Sequence, residues 1–132
     1  MLLVHTRIKP SDLHGIGLFV VQPVPKGTHI WKYEPGFDIE LTEERLQTLS
    51  EAARGQIVNY VYKSAVTGNW ILCGDDARFI NHSSEPNLGV VQVEGEQETR
   101  ALAARDIQAG EELTLDYVIF PENDDLSTYH QG

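Results

Sequence analysis

The apolar positions of this chain fall into short segments rich in β-branched and aromatic residues. Turn-forming clusters separate them at short intervals, for example residues 25–27 and 67–69, which read Pro-Lys-Gly and Thr-Gly-Asn. Many short strands joined by regular turns predict a mainly β domain of small curved sheets or a barrel-like wrap. The predicted strand segments are 17–24, 28–33, 59–66, 69–73, 88–94, 100–107 and 112–120.

One segment has helical periodicity instead. Leu46, Leu49 and two later alanines recur at helical spacing after Thr42, which can cap a helix. Two glutamates follow Thr42 directly and suit the positive end of the helix dipole. The pattern predicts one helix at about residues 42–54, inserted into the β framework and ending or breaking at Gly55.

A weak internal similarity links two strand–turn–strand units. Two structurally similar units are one interpretation of the shared spacing, and coincidence is the other. The residues that share it are Val24, Gly27 and Ile30 in the first unit and Ile107, Gly110 and Leu113 in the second.

The length and charge of the chain limit its class. The 132 residues suffice for one hydrophobic core, so we expect a single domain over residues 1–120 and a short polar tail at 121–132. The net charge of −10 disfavours direct nucleic-acid binding. It favours a basic peptide or protein partner, although such acidity also serves solubility alone.

Cysteine, histidine and hydropathy patterns narrow the class further. Cys73 is the only cysteine, which excludes an internal disulfide framework and predicts an intracellular location. The five histidines lack the spacing of a zinc site, so no bound metal is expected. No apolar run approaches the roughly 18 residues of a membrane span, and the first ten residues do not resemble a secretion signal. We therefore expect no membrane association.

Two stretches carry candidate ligand-binding residues. Gly15 and Gly17 flank Ile16 and allow the backbone to approach a ligand closely, although a simple β-turn is the alternative. Asn81 and His82 begin an abrupt polar break after a buried segment, and a loop stabilised by side-chain-to-backbone turns is the alternative there. A Ser–His hydrolase is disfavoured, because adjacent strand residues point to opposite faces and no nucleophile elbow is present.

A third stretch, AGEELTLDYVIF, covers residues 109–120. Leu113, Leu115 and Tyr117 alternate and share one strand face, whereas Asp116 points to the other. Tyr117 can be an ordinary core aromatic or a functional residue, and the stretch alone does not decide between them.

In this order the three stretches resemble the SET-domain protein lysine methyltransferases. RFINHS followed by EPN, and later GEELTLDY, is a highly specific combination, and the resemblance runs over about residues 5–120. It implies the SET-domain (β-clip) fold, with a C-terminal pseudoknot formed by the NHS strand and the GEELTLDY segment. It also implies a site for S-adenosylmethionine. The implied cofactor-binding residues are Gly15, Ile16, Gly17, Leu18, Asn81, His82 and Tyr117.

The resemblance further implies methyl transfer to the ε-amine of a lysine in a protein, with a basic histone-like tail as a suitable substrate. Tyr117 falls on the catalytic tyrosine, at the inner end of a narrow lysine channel. Aromatic walls suit a lysine stem and a developing methylammonium. The candidate wall residues, each of which can instead belong to the core, are Tyr60, Tyr62, Trp70 and Phe120. A non-catalytic peptide-binding or regulatory module with the same fold is the alternative function.

The chain departs from the family pattern at Ser84, where many members carry a cysteine. No cysteine follows Cys73, so no cysteine-rich, zinc-bound segment is expected after the domain. In the family that segment closes one side of the lysine channel. Here either the tail with Phe120 and Tyr129 closes it, or a second subunit does, which leaves a homodimer open. The expected location is cytoplasmic, or nuclear or host-cell if the protein is an effector.

Overall fold

The computed structural model describes residues 1–116, so Tyr117, Phe120 and the predicted tail lie outside the described residues. Within residues 1–116, no helix is long and apolar enough to cross a bilayer. The strands are β1 (Thr6–Pro10), β2 (Ile16–Val20), β3 (His29–Trp31), β4 (Ile39–Leu41), β5 (Tyr62–Lys63), β6 (Trp70–Leu72), β7 (Asn81–His82), β8 (Leu88–Val91), β9 (Arg100–Ala103) and β10 (Thr114–Leu115). The helices are α1 (Glu43–Thr48), α2 (Glu51–Ile57) and a 3-10 helix (Asp76–Phe79).

The described strands form four small sheets, which confirms the predicted mainly β fold. β1 and β2 form an antiparallel hairpin. Two antiparallel three-stranded sheets have the orders β3-β9-β8 and β4-β6-β5. β7 and β10 pair in parallel, although many residues separate them along the chain. This last pairing is the one that concerns the functional site.

Two strand–turn–strand units hydrogen-bond to each other through their backbones. The amides of Val24 and Ile107 each donate to the other's carbonyl oxygen at 2.8 Å. Gly27 and Gly110 occupy the matching turns, and both adopt a positive φ, 88° and 89°, that favours glycine. The internal similarity in the sequence thus corresponds to two matching units that face each other.

The predicted single helix is divided into two, and its predicted end is wrong. Leu49 is extended, and Ser50 then caps α2 by accepting a hydrogen bond from the Ala53 amide at 3.1 Å. Thr42 caps α1 as predicted. A second N-cap within the segment interrupts the helical backbone, because a cap residue has non-helical φ and ψ. Gly55 lies inside α2, which continues to Ile57.

The buried hydrophobic residues of the described part of the chain form two clusters. The larger one includes residues of β2, β3, β6, β8 and β9, and it contains the fully buried Leu18, Ile30 and Leu113. The smaller one packs α1 against the other three-stranded sheet through Leu46 and Trp70. None of the residues of α2 is fully buried, and the helix contacts the smaller cluster through the partly buried Ile57.

Gly74 packs against backbone and leads to a stability prediction. A Cβ atom there would lie 2.1 Å from the Phe37 carbonyl oxygen, whereas a Cβ atom at Gly55 would meet no atom within 4 Å. The Gly74 amide also donates to the buried Asp38 carboxylate at 2.9 Å. Gly74→Ala is therefore expected to lower the free energy of unfolding by about 2 kcal/mol, as overpacking does.

The matched control is Gly55→Ala, which replaces glycine within a helix and is expected to raise the free energy of unfolding by about 0.5 to 1 kcal/mol. Urea unfolding of the two variants beside the wild type measures both effects. Equal stability of the two variants would contradict the close packing at Gly74.

Glu98 is a buried carboxylate whose ionisation opposes folding. Its side chain is 4% exposed, and burial raises its pKa, although hydrogen bonds from Ser64 and Thr99 act in the opposite direction. A carboxyl group with a raised pKa in the folded state contributes most to stability at low pH, and that contribution is lost as the pH rises through the folded-state pKa.

Glu98→Gln is therefore expected to unfold at higher urea concentration than the wild type at pH 7. The difference should shrink at pH 4, where Glu98 is protonated in the folded protein. Exposed Glu94 provides the control, since Glu94→Gln should change stability little at either pH. A Glu98→Gln effect that is the same at both pH values would show that burial of the charge is not its cause.

Candidate functional site

A cleft of about 520 Å³ lies where three separate stretches of the chain meet. Residues 13–16 at the start of β2 line one side, and residues 78–82, which run from the 3-10 helix into β7, line another. Asn59 and Tyr60, just after α2, are the other lining residues within residues 1–116. Four of the predicted site residues are therefore found together in one cavity with Tyr60: Gly15, Ile16, Asn81 and His82.

The parallel pairing of β7 with β10 joins two of the predicted motifs. Asn81 lies opposite Thr114, and His82 lies opposite Leu115. The Ser83 amide extends the pairing by donating to the Leu115 carbonyl oxygen at 3.1 Å. Tyr117 lies just beyond the described residues, two positions after the end of β10.

Asn87, from the EPN part of the motif, holds β10 and the residues before it through its side-chain amide. Its side-chain oxygen accepts from the Thr114 amide at 2.9 Å, and its side-chain amide donates to the Glu112 carbonyl oxygen at 2.7 Å. Asn87 is 3% exposed, so these bonds are shielded from water. The sequence placed Asn87 in a recognised motif but gave no indication of this anchoring role.

The Asn81 side chain ties the cleft walls together. Its Nδ2 atom donates to the carbonyl oxygens of His14 at 3.0 Å and Ile16 at 3.2 Å. The same atom donates to Oε2 of Glu112 at 2.9 Å. The amide therefore links the glycine-flanked turn before β2 to the segment that leads into β10.

Glu112 is a site residue that sequence reasoning missed. Its carboxylate accepts from Ser11 Oγ at 2.7 Å and 2.9 Å, in addition to the bond from Asn81. A Cβ atom at Gly17 would lie 2.4 Å from Oε2 of Glu112, so glycine leaves the space that this carboxylate occupies. The predicted site residues Gly17 and Leu18 are buried and do not line the cleft.

His82 is partly exposed, and its Nδ1 atom lies 3.8 Å from Oδ1 of the more buried Asp116. This distance is an ionic contact when the imidazole is protonated, and it is too long for a hydrogen bond. Asp116 therefore places a carboxylate behind the imidazole at the end of the paired strands.

Arg78, Tyr60 and Phe79 form a cation–aromatic cluster on the cleft wall. The two rings meet edge to face with centroids 5.5 Å apart. The Arg78 guanidinium lies 5.7 Å from the Tyr60 ring centre and 5.3 Å from the Phe79 ring centre. The sequence singled out Tyr60 but not the other two residues, because their contacts depend on the 3-10 helix packing beside residues 59–60.

Tyr62 and Trp70, two other predicted channel residues, do not line this cleft. Trp70 is 2% exposed within the smaller core cluster, and its indole N–H donates to Glu43 Oε2 at 2.7 Å. Tyr62 packs edge to face on Trp31. Burial, and to a lesser extent the Glu98 carboxylate, raise the pKa of Tyr62 well above its usual range, so its hydroxyl stays protonated.

Ser84 and Cys73 are the two positions that bear on the expected lack of a zinc-bound segment. Ser84 is exposed, and Cys73 is buried with its thiol pKa raised to about 12, chiefly by burial. Among residues 1–116, no cluster of three or more potential metal ligands occurs.

Comparison with known proteins gives consistent results. A family model described as SET domain matches residues 15–118. The Schizosaccharomyces pombe protein named "Histone-lysine N-methyltransferase, H3 lysine-4 specific" is 34% identical over 123 residues. Human "Histone-lysine N-methyltransferase 2B" is 36% identical over 118 residues. These alignments cover 88% and 86% of this chain but only 13% and 4% of the relatives, so the chain spans a small part of their length.

A solved structure agrees in fold. It is a Plasmodium falciparum protein described as a candidate histone methyltransferase, and it superposes with a TM-score of 0.58 at 20% identity. The superposition covers 88% of this chain and 95% of the other. At this level of identity the similarity establishes the fold alone.

Proposed function

The chain belongs to the SET-domain family, and on that premise we propose that it is an S-adenosylmethionine-dependent methyltransferase acting on the ε-amine of a lysine in a protein. The parallel pairing of β7 with β10 is the observation that carries the proposal. It brings the segment that leads to Tyr117 alongside Asn81 and His82, which line the cleft together with Ile16. Groups from distant parts of the chain thus converge on one cavity, as chemistry on a bound ligand requires.

The residues of the cleft suit a ligand that combines an apolar ring system with a charged amino-acid end. The cleft volume of about 520 Å³ lies within the range of small-molecule sites. Leu13 and Ile16 are exposed and offer apolar surface, while Asn81 and His82 offer an amide and an imidazole. These residues and the backbone around Ile16 would hold S-adenosylmethionine, which supplies a methyl group on a sulfonium leaving group.

The task of the protein's own groups is then mainly positioning. The Tyr117 hydroxyl orients the substrate amine and stabilises charge that develops during transfer. The amine must be neutral to attack, although a free lysine has a pKa near ~10.4. Apolar surface such as the Tyr60 and Phe79 rings lowers that pKa by desolvation, and the Arg78 guanidinium disfavours a second cation beside it.

The charge of the protein indicates the substrate class. A net charge of −10 attracts a basic peptide and raises its encounter rate. Relatives named as histone-lysine methyltransferases support a basic, histone-like tail as substrate and an intracellular, cytoplasmic or nuclear, site of action.

Transfer of a radiolabelled methyl group to a panel of basic proteins and histone-tail peptides tests the proposal. Label should enter lysine-containing peptides and should be absent from matched peptides with every lysine replaced by arginine. His82→Ala should bind the cofactor more weakly than the wild type. If the wild type binds S-adenosylmethionine but labels no substrate, the protein is a non-catalytic peptide-binding or regulatory module. If it binds neither cofactor nor peptide, the proposed function is wrong.

A further inference from the structure

The Asn81 side chain can adopt two orientations that fill the same space and present opposite chemistry. One orientation presents an N–H donor to the cleft, and the other presents a carbonyl oxygen that accepts. The partners of the amide decide between the two orientations. The ligand group that Asn81 recognises therefore depends on what lies behind it.

Three acceptors surround one end of this amide and none of them can donate. They are the carbonyl oxygens of His14 and Ile16 and the Glu112 carboxylate, at 3.0, 3.2 and 2.9 Å from Nδ2. Rotating the amide by half a turn would place its oxygen against all three, which is repulsive. The oxygen of Asn81 is therefore directed away from them, and none of residues 1–116 donates a hydrogen bond to it in the structure.

Glu112 is the only charged member of this set, and its position is itself fixed. Ser11 Oγ donates to both carboxylate oxygens, at 2.7 and 2.9 Å. Gly17 lies directly against the carboxylate and leaves no room for it to shift toward β2. An ionised acceptor also makes a stronger hydrogen bond than a carbonyl oxygen, so Glu112 contributes most to holding the amide.

We propose that Glu112 is a positioning residue that, supported by Ser11, holds the Asn81 amide with its oxygen toward the cleft, so that the cleft selects ligands with a cationic N–H donor. The proposal rests on the proposed function, in which that donor is the α-ammonium group of the cofactor. The negative charge of Glu112 lies one hydrogen bond behind the amide and polarises its oxygen, which further favours a cation there. Glu112 acts through Asn81 and is not assigned any contact with the ligand.

Discrimination between two ligands that differ only in the amino group tests the proposal. The probes are S-adenosylhomocysteine and its analogue without the α-amino group, with dissociation constants measured by calorimetry. Wild type should bind the first about tenfold or more tightly than the second, as loss of a hydrogen bond to a charged group predicts. Glu112→Met, which keeps the length but removes the acceptor, should reduce this preference to less than about threefold.

Conservative and neighbouring variants separate positioning from simple support of the fold. Glu112→Gln keeps an acceptor for Asn81 without the charge, so it should restore part of the preference. Glu111→Met changes the adjacent residue, whose carboxylate pairs with Arg105 instead, and should leave the preference at the wild-type value. The proposal is overturned if Glu112→Met retains the wild-type preference. It is also overturned if the variant lowers the affinity for both ligands by the same factor.

A second measurement does not depend on a ligand. In wild type, hydrogen exchange of the Asn81 side-chain amide, followed by NMR, should be slowed because its protons are bonded, and Glu112→Met should accelerate it about tenfold or more. If wild type binds neither probe, the proposed function fails. The exchange rate alone then decides whether Glu112 holds the Asn81 amide. Fast exchange of the Asn81 side-chain amide in the wild type would show that Glu112 does not hold it and would overturn the proposal.

Discussion

The Asn81→Asp variant is expected to bind S-adenosylmethionine at least about 100-fold more weakly than the wild type, a loss of about 2.7 kcal/mol. The substitution keeps the shape of the side chain but replaces the donor Nδ2 with an oxygen. That oxygen would face two carbonyl groups and the Glu112 carboxylate, at the place where 2.9 Å now separates donor and acceptor. The cleft wall must then move or one carboxyl group must take up a proton.

Two electrostatic effects compete in this variant, and their magnitudes decide the outcome. A new carboxylate attracts a cationic cofactor, but in an open cleft such an attraction is worth only about 1 kcal/mol. Repulsion between two carboxylates in contact is about 4 kcal/mol at the effective dielectric constant typical near a protein surface. The lost hydrogen bonds add to the repulsion, so the net effect is a loss of binding.

Asn59→Asp is the matched control, since Asn59 lines the same cleft and is exposed. It introduces the same charge without the contact with Glu112, and its dissociation constant should change by less than about threefold. Calorimetry on both variants measures the comparison. Binding by Asn81→Asp within tenfold of the wild type would contradict the arrangement around Nδ2.

The second large effect is expected from Tyr117→Phe, which removes one hydroxyl group. If that hydroxyl stabilises charge during methyl transfer, kcat should fall by about 100- to 1000-fold, the range seen when one preorganised donor is deleted. Cofactor affinity should stay within about threefold of the wild type, because the cleft residues Asn81 and His82 remain in place. In the sequence, Tyr117 comes two positions after β10, the strand that pairs with Asn81 and His82.

Single-turnover labelling combined with calorimetry separates the two quantities for Tyr117→Phe. Tyr33→Phe serves as the control, because Tyr33 packs against the larger core cluster and lies outside the cleft. A kcat that stays within threefold of the wild type would remove Tyr117 from the catalytic role. A fall in kcat accompanied by an equal loss of cofactor affinity would indicate a binding role instead.

Local features of the fold were predictable from the sequence because they depend on neighbouring residues. The glycine turns at Gly27 and Gly110 and the cap at Thr42 are examples. Ser50 could have been recognised as a second cap, since a serine before Glu51 and two alanines is a usual helix start. The helical periodicity of Leu46 and Leu49 concealed it, because a two-residue break hardly disturbs that periodicity.

Only the candidate-site residues that belong to a recognisable motif were predictable from the sequence. Asn81 and His82 were identified through a resemblance, and the structure places them in the cleft. Ser11 and Glu112 escaped notice because their hydrogen bond joins residues 101 positions apart, and neither residue type is informative alone. The aromatic candidates were selected too broadly, because residue type favours Tyr60 and Trp70 equally. Only the packing shows that Tyr60 lines the cleft and that Trp70 belongs to the core.

The late position of β10 in the chain has a consequence for how the protein matures. A nascent chain that has emerged as far as β9 already contains every residue of the described part of the chain that lines the cleft, yet it lacks the strand that pairs with Asn81 and His82. Contacts between distant segments form slowly, because the loop between them must first be closed. The cleft is therefore expected to become competent only in the last folding step, and a ligand that binds there would shift that step toward completion.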